Sequence, residues 1–280
     1  MAYASGGLIE ASDYNGFANS VNNIWGIGTG DRGYGQGNTL STVPVSTTVT
    51  ATQWATLIAR IDSMRQHQSG VNSGLTQPST GDIIAYLSTM SGQISTCDTN
   101  RLLRNVGTTV GATALASGTW NGTVQAVREC RFSFVSSNAM RYFFNTGGNV
   151  TFNPANSSFS GNAKSDNWNN MANSISTAVV NSSNFWSLTT GWTTLQSITG
   201  SGADYKLNVL YLQAKLNAAP GSSSRLDIRA YFVDDATDGL DSTVLGTARV
   251  DGTANQAATT YISNSWGSIT GQDNVTVTQS

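Results

Sequence analysis

The sequence predicts an α+β protein in which N-terminal helices pack with a small antiparallel sheet, followed by a C-terminal antiparallel β-sandwich. Three observations lead to this class. Apolar residues recur at helical spacing in the first third of the chain, aromatic-rich runs occupy residues 124–152, and short alternating runs separated by turns fill the last third. We place the boundary near Asn181, which separates an assembly and docking domain (residues 1–181) from a sandwich domain (residues 182–280).

Three helices are predicted in the N-terminal region. The first has Ser12 as its N-cap and Asp13 in its first turn and ends at Gly26, the second is capped by Thr52, and the third follows Pro78. Because none of them can bury its apolar stripe alone, they should pack on one another or on another subunit. The stripes are Tyr14, Phe17, Val21, Ile24 and Trp25; Trp54, Leu57, Ile58, Ile61 and Met64; and Ile83, Ile84, Leu87, Met90 and Ile94.

A folding centre is predicted in residues 124–152. The run that ends at Phe134 alternates in polarity and indicates a strand, and the run at residues 140–144 is aromatic on both sides and indicates a central strand. Residues 145–148 then form a hairpin turn into a third run, residues 149–152, whereas residues 101–122 read as a loop. The predicted core of this centre is Phe132, Phe134, Tyr142, Phe143 and Phe144.

The rest of the chain begins with a fourth helix and continues as strands. Strands are predicted at residues 185–198, 205–216, 225–233, 242–250, 258–263 and 274–278, and their spacing is typical of a sandwich. The stripe of the fourth helix is Trp168, Met171, Ala172, Ile175 and Val179.

A glycine-rich segment, residues 26–38, follows the first helix. Gly28, Gly30 and Gly33 match the dinucleotide-binding spacing G-x-G-x-x-G, but that motif must follow a strand and open a helix, and this one does neither. We therefore expect an ordered loop whose side chains Arg32, Tyr34 and Gln36 pack against a neighbour. Together with Tyr14, Phe17 and Trp54, these residues form the predicted oligomer or docking interface.

Composition excludes several classes of function. Charged residues make up only 11% of the chain and the net charge is -2, which supplies no basic patch for nucleic acid. No apolar run approaches the roughly 20 residues that span a bilayer, and the N-terminus lacks the pattern of a secretory signal. We expect a densely packed, often oligomeric protein that neither inserts into a membrane nor binds nucleic acid.

Residues suited to catalysis are few. His67 is the single histidine and is expected to be either solvated or favoured by the helix dipole near a helix end, while Cys97 and Cys130 are expected to be buried thiols. This set supports neither a nucleophile–base pair nor a zinc site, and we predict no cofactor and no enzymatic activity. A carboxylate pair of the glycosidase type stays open, because sequence does not reveal the distance between carboxylates.

Two other features suggest ligands. Asp234, Asp235, Asp238 and Asp241 form an acidic cluster that misses the EF-hand spacing, so it is either a loop-borne calcium site that stabilises the sandwich or a solvated turn after a strand. Tryptophans in the chain could stack on sugars or could belong to the core. The four considered are Trp120, Trp186, Trp192 and Trp266.

Four motifs lie along the first 148 residues of the chain: D-Y-N at residues 13–15, G-Y-G-Q at residues 33–36, Q-W at residues 53–54 and R-Y-F-F-N-x-G-G at residues 141–148. The segments that contain them together resemble a family of virion structural proteins from tailed phages, notably contractile-tailed phages of cyanobacteria and marine bacteria. They occur in the family in this order, and the resemblance covers roughly the first 175 residues.

The resemblance implies a non-enzymatic particle component that is assembled in the host cytoplasm and resides in the virion. Its expected partners are other copies of itself, with a trimer among the assemblies considered, and other virion proteins. A tail, collar, baseplate or fibre-like component is the first hypothesis. The alternatives are a capsid decoration protein, an adhesin that binds a host-surface glycan, and a glycan-cleaving enzyme.

Overall fold

The computed structural model of the chain describes residues 10–82, 87–105, 109–157, 159, 161–202, 204–234 and 243–273. It has the predicted α+β class, with most helices in the N-terminal part and two antiparallel sheets in the C-terminal part. The helices are α1 (Ala11–Trp25), α2 (Ala51–Ser69), α3 (Leu87–Thr99), α4 (Ser137–Asn145) and α5 (Ala163–Ser174), with a 3₁₀ turn at Phe185–Ser187. The strands are β1 (Thr109–Gly122), β2 (Gln125–Phe134), β3 (Asn149–Ser157), β4 (Ala178–Val180), β5 (Thr193–Thr199), β6 (Val209–Leu216), β7 (Arg225–Val233), β8 (Val244–Gln256) and β9 (Ile269–Asp273). Within the described ranges, no helix is both long and apolar enough to cross a membrane.

The chain divides into two compact units. The helical unit comprises Met1–Thr109, Arg141–Gly147 and Ala257–Ser265, and the sandwich unit comprises Val110–Met140, Gly148–Gln256 and Trp266–Ser280. Asn181, where we predicted a domain boundary, lies inside the sandwich unit. As a statement about independently folding domains, that boundary stays a prediction.

In the helical unit, α1, α2 and α3 pack on one another. The predicted stripes of α1 and α2 are buried, as are Met90 and Ile94 of the third stripe. The caps differ from those predicted. The N-cap of α1 is Glu10, which forms a capping box with Asp13, and the N-cap of α2 is Thr50, which forms one with Gln53. Thr50 takes this role because its backbone is extended and its hydroxyl accepts the Gln53 N–H, whereas residue 52 already lies inside the helix.

The sandwich unit consists of two antiparallel sheets with strand orders β1-β8-β3-β4 and β5-β6-β7-β2-β9. The strand predicted at residues 225–233 is confirmed, and its inward side chains are fully buried. Gly252 of β8 faces Ile228 and Phe132 of the other sheet, and a Cβ added at this glycine would meet both side chains. Close approach of the two sheets therefore needs glycine at this position. The inward residues of β6 and β7 are Leu210, Leu212, Ala214, Leu216, Leu226, Ile228, Ala230 and Phe232.

The central prediction for residues 140–144 is wrong. They form the second half of helix α4, and Gly147, with φ of 83°, belongs to the turn after that helix and not to a hairpin. A short run with aromatic residues on both sides fits a buried helix as well as a buried strand, and here the helix forms. Consequently β3 does not pair with β2: it lies between β8 and β4 in the other sheet.

Other segments also differ from expectation. Residues 109–122, predicted as a loop, form β1, in which the small residues Ala114 and Ala116 and the ring of Trp120 alternate inward. The fourth predicted helix ends at Ser174, and Val179 lies in β4. Residues 258–263 are bends, not a strand, while residues 83, 84 and 274–278 lie outside the described residues.

Candidate functional site

The glycine loop, which we define as residues 26–38, folds back onto the C-terminal end of α1. The N–H groups of Tyr34, Gly35 and Gln36 donate to the carbonyl oxygens of Ile24, Gly26 and Trp25, at 2.9, 2.8 and 3.1 Å respectively. The loop thereby satisfies carbonyl groups that a helix end leaves without partners. Because these carbonyls carry the negative end of the helix dipole, the loop is unsuited to phosphate, and the dinucleotide interpretation fails on geometry.

Four glycines in this loop have a positive φ that favours glycine. Gly28, Gly30, Gly33 and Gly35 have φ of 55°, 58°, 90° and 71°. A Cβ at Gly33 would collide with the carbonyl oxygen of Ile27, and a Cβ at Gly35 would collide with the ring of Tyr142. The turn and the close approach both exclude any side chain there.

Arg141 holds the loop from outside. One guanidinium nitrogen donates to the carbonyl oxygen of Arg32 at 2.7 Å, and another donates to that of Ile27 at 2.8 Å. Arg141 is 5% exposed and also lies over the ring of Tyr142, 4.6 Å from its centroid. The positive charge of Arg141 therefore interacts with backbone carbonyl dipoles and an aromatic ring inside the helical unit.

Asn145 completes this attachment one helical turn later. Its side-chain amide nitrogen lies 3.1, 3.1 and 3.2 Å from the carbonyl oxygens of Gly30, Arg32 and Gly33. Spacing of i and i+4 places Arg141 and Asn145 on the same face of α4. We use the name loop clamp for these two side chains together with the carbonyl groups to which they donate.

His67 and Gln68, at the end of α2, support the same region. His67 is 1% exposed, and its Nε2 donates to the Thr146 carbonyl oxygen at 3.1 Å, so the expectation of a solvated histidine is wrong. Burial lowers the pKa of His67 to about 4, and the imidazole is neutral at physiological pH. Gln68 donates to the Tyr34 hydroxyl, and burial raises the pKa of that phenol.

A distant stretch of the chain also joins the loop. The side-chain amide of Gln36 exchanges two hydrogen bonds with the backbone of Ser263, at 2.9 and 2.8 Å, and the Ser265 hydroxyl donates to the Tyr34 carbonyl oxygen at 2.5 Å. The Gln36 side chain thus donates to and accepts from the Ser263 backbone, as a residue of a neighbouring antiparallel strand would. It joins residues from opposite ends of the chain within the helical unit.

The six residues predicted for a docking interface make their contacts with other residues of the same chain. Arg32 forms an ion pair with Asp98, and the rings of Tyr14 and Phe17 meet that of Trp54 at centroid distances of 5.3 and 6.3 Å. Tyr14, Phe17, Tyr34, Gln36 and Trp54 are all buried. Their contacts account for them as core, so a docking role for these residues gains no support from their positions.

The predicted core residues Phe132 and Phe134, in the sandwich unit, are buried, as are Tyr142, Phe143 and Phe144 in the helical unit. Cys97 and Cys130 are buried free thiols as predicted, and burial raises the pKa of each to about 12, so neither is a thiolate at neutral pH.

The acidic cluster is only partly described. Asp234 is buried and forms an ion pair with Lys164, whereas Asp235, Asp238 and Asp241 lie outside the described residues. Among the residues that are described, histidine, cysteine, aspartate and glutamate side chains form no group of three that could hold a metal ion.

Tryptophans divide into core and partly exposed residues. Trp120 and Trp266 are fully buried and cannot stack on a sugar, whereas Trp192 is partly exposed on the five-stranded sheet. Lys215 Nζ and the Arg229 guanidinium lie 4.3 and 4.2 Å from the Trp192 ring centroid.

Sequence reasoning missed the loop clamp and a second set of side-chain bonds. Asn15 and Asn22, seven residues apart on α1, each exchange two hydrogen bonds with the backbone of residue 43 or residue 40, at 2.7–2.8 Å. The strand interpretation of residues 140–144 separated the two residues, because it placed Arg141 in a strand and Asn145 in the hairpin turn that follows it. A helical interpretation would have put them together.

Comparison with known proteins gives no match: no protein-family model, no curated protein and no solved structure is similar to this chain.

Proposed function

We propose that this protein is a non-enzymatic structural component of a tailed-phage particle, most consistent with a tail, collar, baseplate or fibre-like part. One observation carries the proposal: the motifs behind the resemblance lie together in one folded unit. The asparagine of R-Y-F-F-N donates to the first glycine of G-Y-G-Q, its arginine donates to the residue just before that motif, and the tyrosine of D-Y-N packs on the tryptophan of Q-W. The motifs are thus joined by contact and not only by order in the sequence.

The nature of these contacts supports a structural role. Arg141 and Asn145 hold backbone carbonyls, and His67 is neutral and buried against another carbonyl. Side chains that in enzymes carry charge or protons are here used to fix an irregular loop. A motif that serves to hold a shape suits a protein whose function is assembly.

The docking surface is proposed to lie on exposed apolar residues of the helical unit, in place of the buried aromatic residues first considered. Ile27 is 67% exposed although its carbonyl oxygen is held by Arg141. The loop therefore presents an apolar side chain from a rigid backbone, which lowers the entropic cost of binding. Its partner is proposed to be another copy of this chain or another virion protein.

Incorporation into particles tests this proposal. We expect Ile27→Asp to fold normally and to reduce the amount of this chain in purified virions at least tenfold, because it places a charge in an apolar contact. Thr29→Asp, also exposed in the same loop, is the matched control and should incorporate normally. Equal incorporation of both variants would contradict the docking surface.

Position and copy number within the particle distinguish the structural alternatives. If imaging of intact particles places this chain at the neck or tail, in the small copy number of a ring or fibre, the result would support the tail-component proposal. Copies distributed over the shell would identify a capsid decoration protein. Absence from the particle would overturn both and reopen an enzymatic role, which turnover of host polysaccharide would then test.

An adhesin is the second candidate, favoured by the outer face of the five-stranded sheet. Trp192, Lys215 and Arg229 lie together there, and the rings of Tyr211 and Tyr231 are 6.1 Å apart. Aromatic rings beside fixed polar groups are suited to a glycan. A glycan array with the full chain and Trp192→Ala tests this candidate, which fails if no glycan binds or if the variant binds equally.

A further inference from the structure

Lys164 and Asp234 form a buried pair at one end of the sandwich unit. Lys164 lies in the first turn of α5, and Asp234 follows directly after β7. The lysine Nζ is 2.5 Å from the aspartate Oδ2, and their side chains are 1% and 0% exposed. A lysine is almost never fully buried unless its amino group has a dedicated partner.

The neighbourhood of this pair is aromatic. Trp168 lies one helical turn after Lys164, and Phe232 lies two residues before Asp234, on the same side of the chain as the aspartate. The ring centroids of Trp168 and Phe232 are 5.7 Å apart, and Trp120 packs on both, at 5.3 Å from Trp168 and 5.7 Å from Phe232. All three rings are fully buried, so the pair lies beside an aromatic cluster that excludes water.

We propose that Lys164 and Asp234 join to form an intramolecular isopeptide bond. A proton first passes from the ammonium group to the carboxylate, which gives an amine and a carboxylic acid. The Nζ lone pair attacks Cγ and forms the N–C bond, and the C–O bond to the protonated oxygen breaks. That oxygen takes a second proton from the nitrogen and leaves as water, so the step needs no oxidant, reductant or further reactant.

Burial favours this reaction, because an apolar surrounding tolerates the uncharged amide product better than two ions.

Geometry favours it as well. With Nζ 2.5 Å from Oδ2, the carboxyl carbon is one bond further away, within reach of the roughly 3–3.5 Å separation of reacting atoms in a near-attack arrangement. Packing of α5 and β7 holds the two groups in place, which replaces a bimolecular encounter by an intramolecular one.

The bond would close a loop of about 70 residues and tie α5 to the end of β7 covalently. Such a cross-link restricts the unfolded chain and adds to the stability of the sandwich unit. It does not depend on the proposed virion role, since the two are tested by different measurements.

Intact-mass measurement of the full chain, purified without heating, is the first test. We expect a mass lower than that of the sequence by one water molecule. A cyclised aspartate also loses water, so trypsin mapping must follow: the bond predicts a branched peptide in which residues 142–206, uncleaved after Lys164, are joined to residues 230–249. Full mass in folded protein, or unlinked peptides, would overturn the proposal.

Variants assign the bond to its residues. Lys164→Arg keeps a cation but should restore the full mass, whereas Lys215→Arg, at a partly exposed lysine, should keep the water loss. Asp234→Asn can still react but releases ammonia, so it predicts a loss of one ammonia in place of water. A water loss that persists in Lys164→Arg would overturn the assignment even if that variant is unstable, because the mass is measured after denaturation.

Discussion

The two units stabilise buried backbone in different ways. In the sandwich unit, strands pair with strands, and apolar residues alternate inward along β6 and β7. In the helical unit, an irregular loop has few strand partners, and its carbonyl groups are held by Arg141 and Asn145. The sandwich unit has a buried arginine of its own, Arg128, which donates to the carbonyl oxygens of Gly118, Thr119 and Ala248.

This difference shows where each unit is sensitive to substitution. A regular strand satisfies its own backbone, so its side chains need only the right volume and polarity. An irregular segment depends on the donors of particular side chains, and loss of one leaves buried carbonyls without partners. We therefore expect conservative changes to affect the irregular loop of the helical unit more than the regular strands β6 and β7 of the sandwich unit.

The largest effect is expected for Arg141→Met. The change takes a charged donor from the carbonyl oxygens of Ile27 and Arg32, of which only that of Arg32 keeps a second donor in Asn145, and it should lower the free energy of unfolding by about 3–5 kcal/mol. Urea unfolding measures the loss, and hydrogen exchange should place it in residues 26–38 while β2 and β7 keep their protection. The control is Arg249→Met, whose half-exposed ion pair with Asp251 predicts a change within about 1 kcal/mol. Equal losses in both units would break the comparison.

Acid should destabilise the helical unit through His67. Its pKa is lowered from 6.5 to about 4 by burial, so between these values the unfolded chain binds a proton that the folded chain does not. Stability is therefore present at neutral pH and is lost as the pH falls through this window, by about 3 kcal/mol in full.

His67→Gln isolates this contribution, because glutamine can donate to Thr146 but does not titrate. Urea midpoints between about pH 7 and about pH 4.5 should fall less steeply for the variant, while the carboxylates contribute equally to both proteins. Parallel curves would show that His67 is protonated without cost and would contradict the lowered pKa.

Gly35→Ala should lower stability by about 2–3 kcal/mol, because a residue with a side chain is strained at φ of 71° and its Cβ collides with Tyr142. Gly37→Ala, two residues later, is the matched control: its added Cβ meets no neighbouring atom. That control should be neutral or slightly stabilising. Thermal unfolding of the two variants makes the comparison.

The smallest effect is expected in the sandwich unit for Ile228→Val. It removes one methyl group from a fully buried side chain and should cost about 1 kcal/mol, with the strand register unchanged. A loss as large as that of Arg141→Met would mean that packing, and not backbone satisfaction, separates the two units. Urea unfolding under identical conditions gives the answer.

The sequence by itself determined the elements whose pattern is periodic. Helices α1 and α2 were found with starts within two residues of those observed, and β2 and β7 were found because their apolar residues alternate. The expectation of buried cysteine thiols also followed from the sequence. The loop-clamp residues lay within a motif that the sequence analysis recognised, but their function in the fold was not predicted.

Only the tertiary structure decided the rest. Residues 140–144 are aromatic on both sides of a strand pattern, so their local pattern permits a helix or a strand, and surrounding contacts select α4. β1 is built from small residues that acquire a strand only by pairing with β8. His67 looks polar in sequence, yet its carbonyl partner lies 79 residues away. Local periodicity describes which residues seek burial, whereas the burial site and hydrogen-bond partners come from parts of the chain that are distant in sequence.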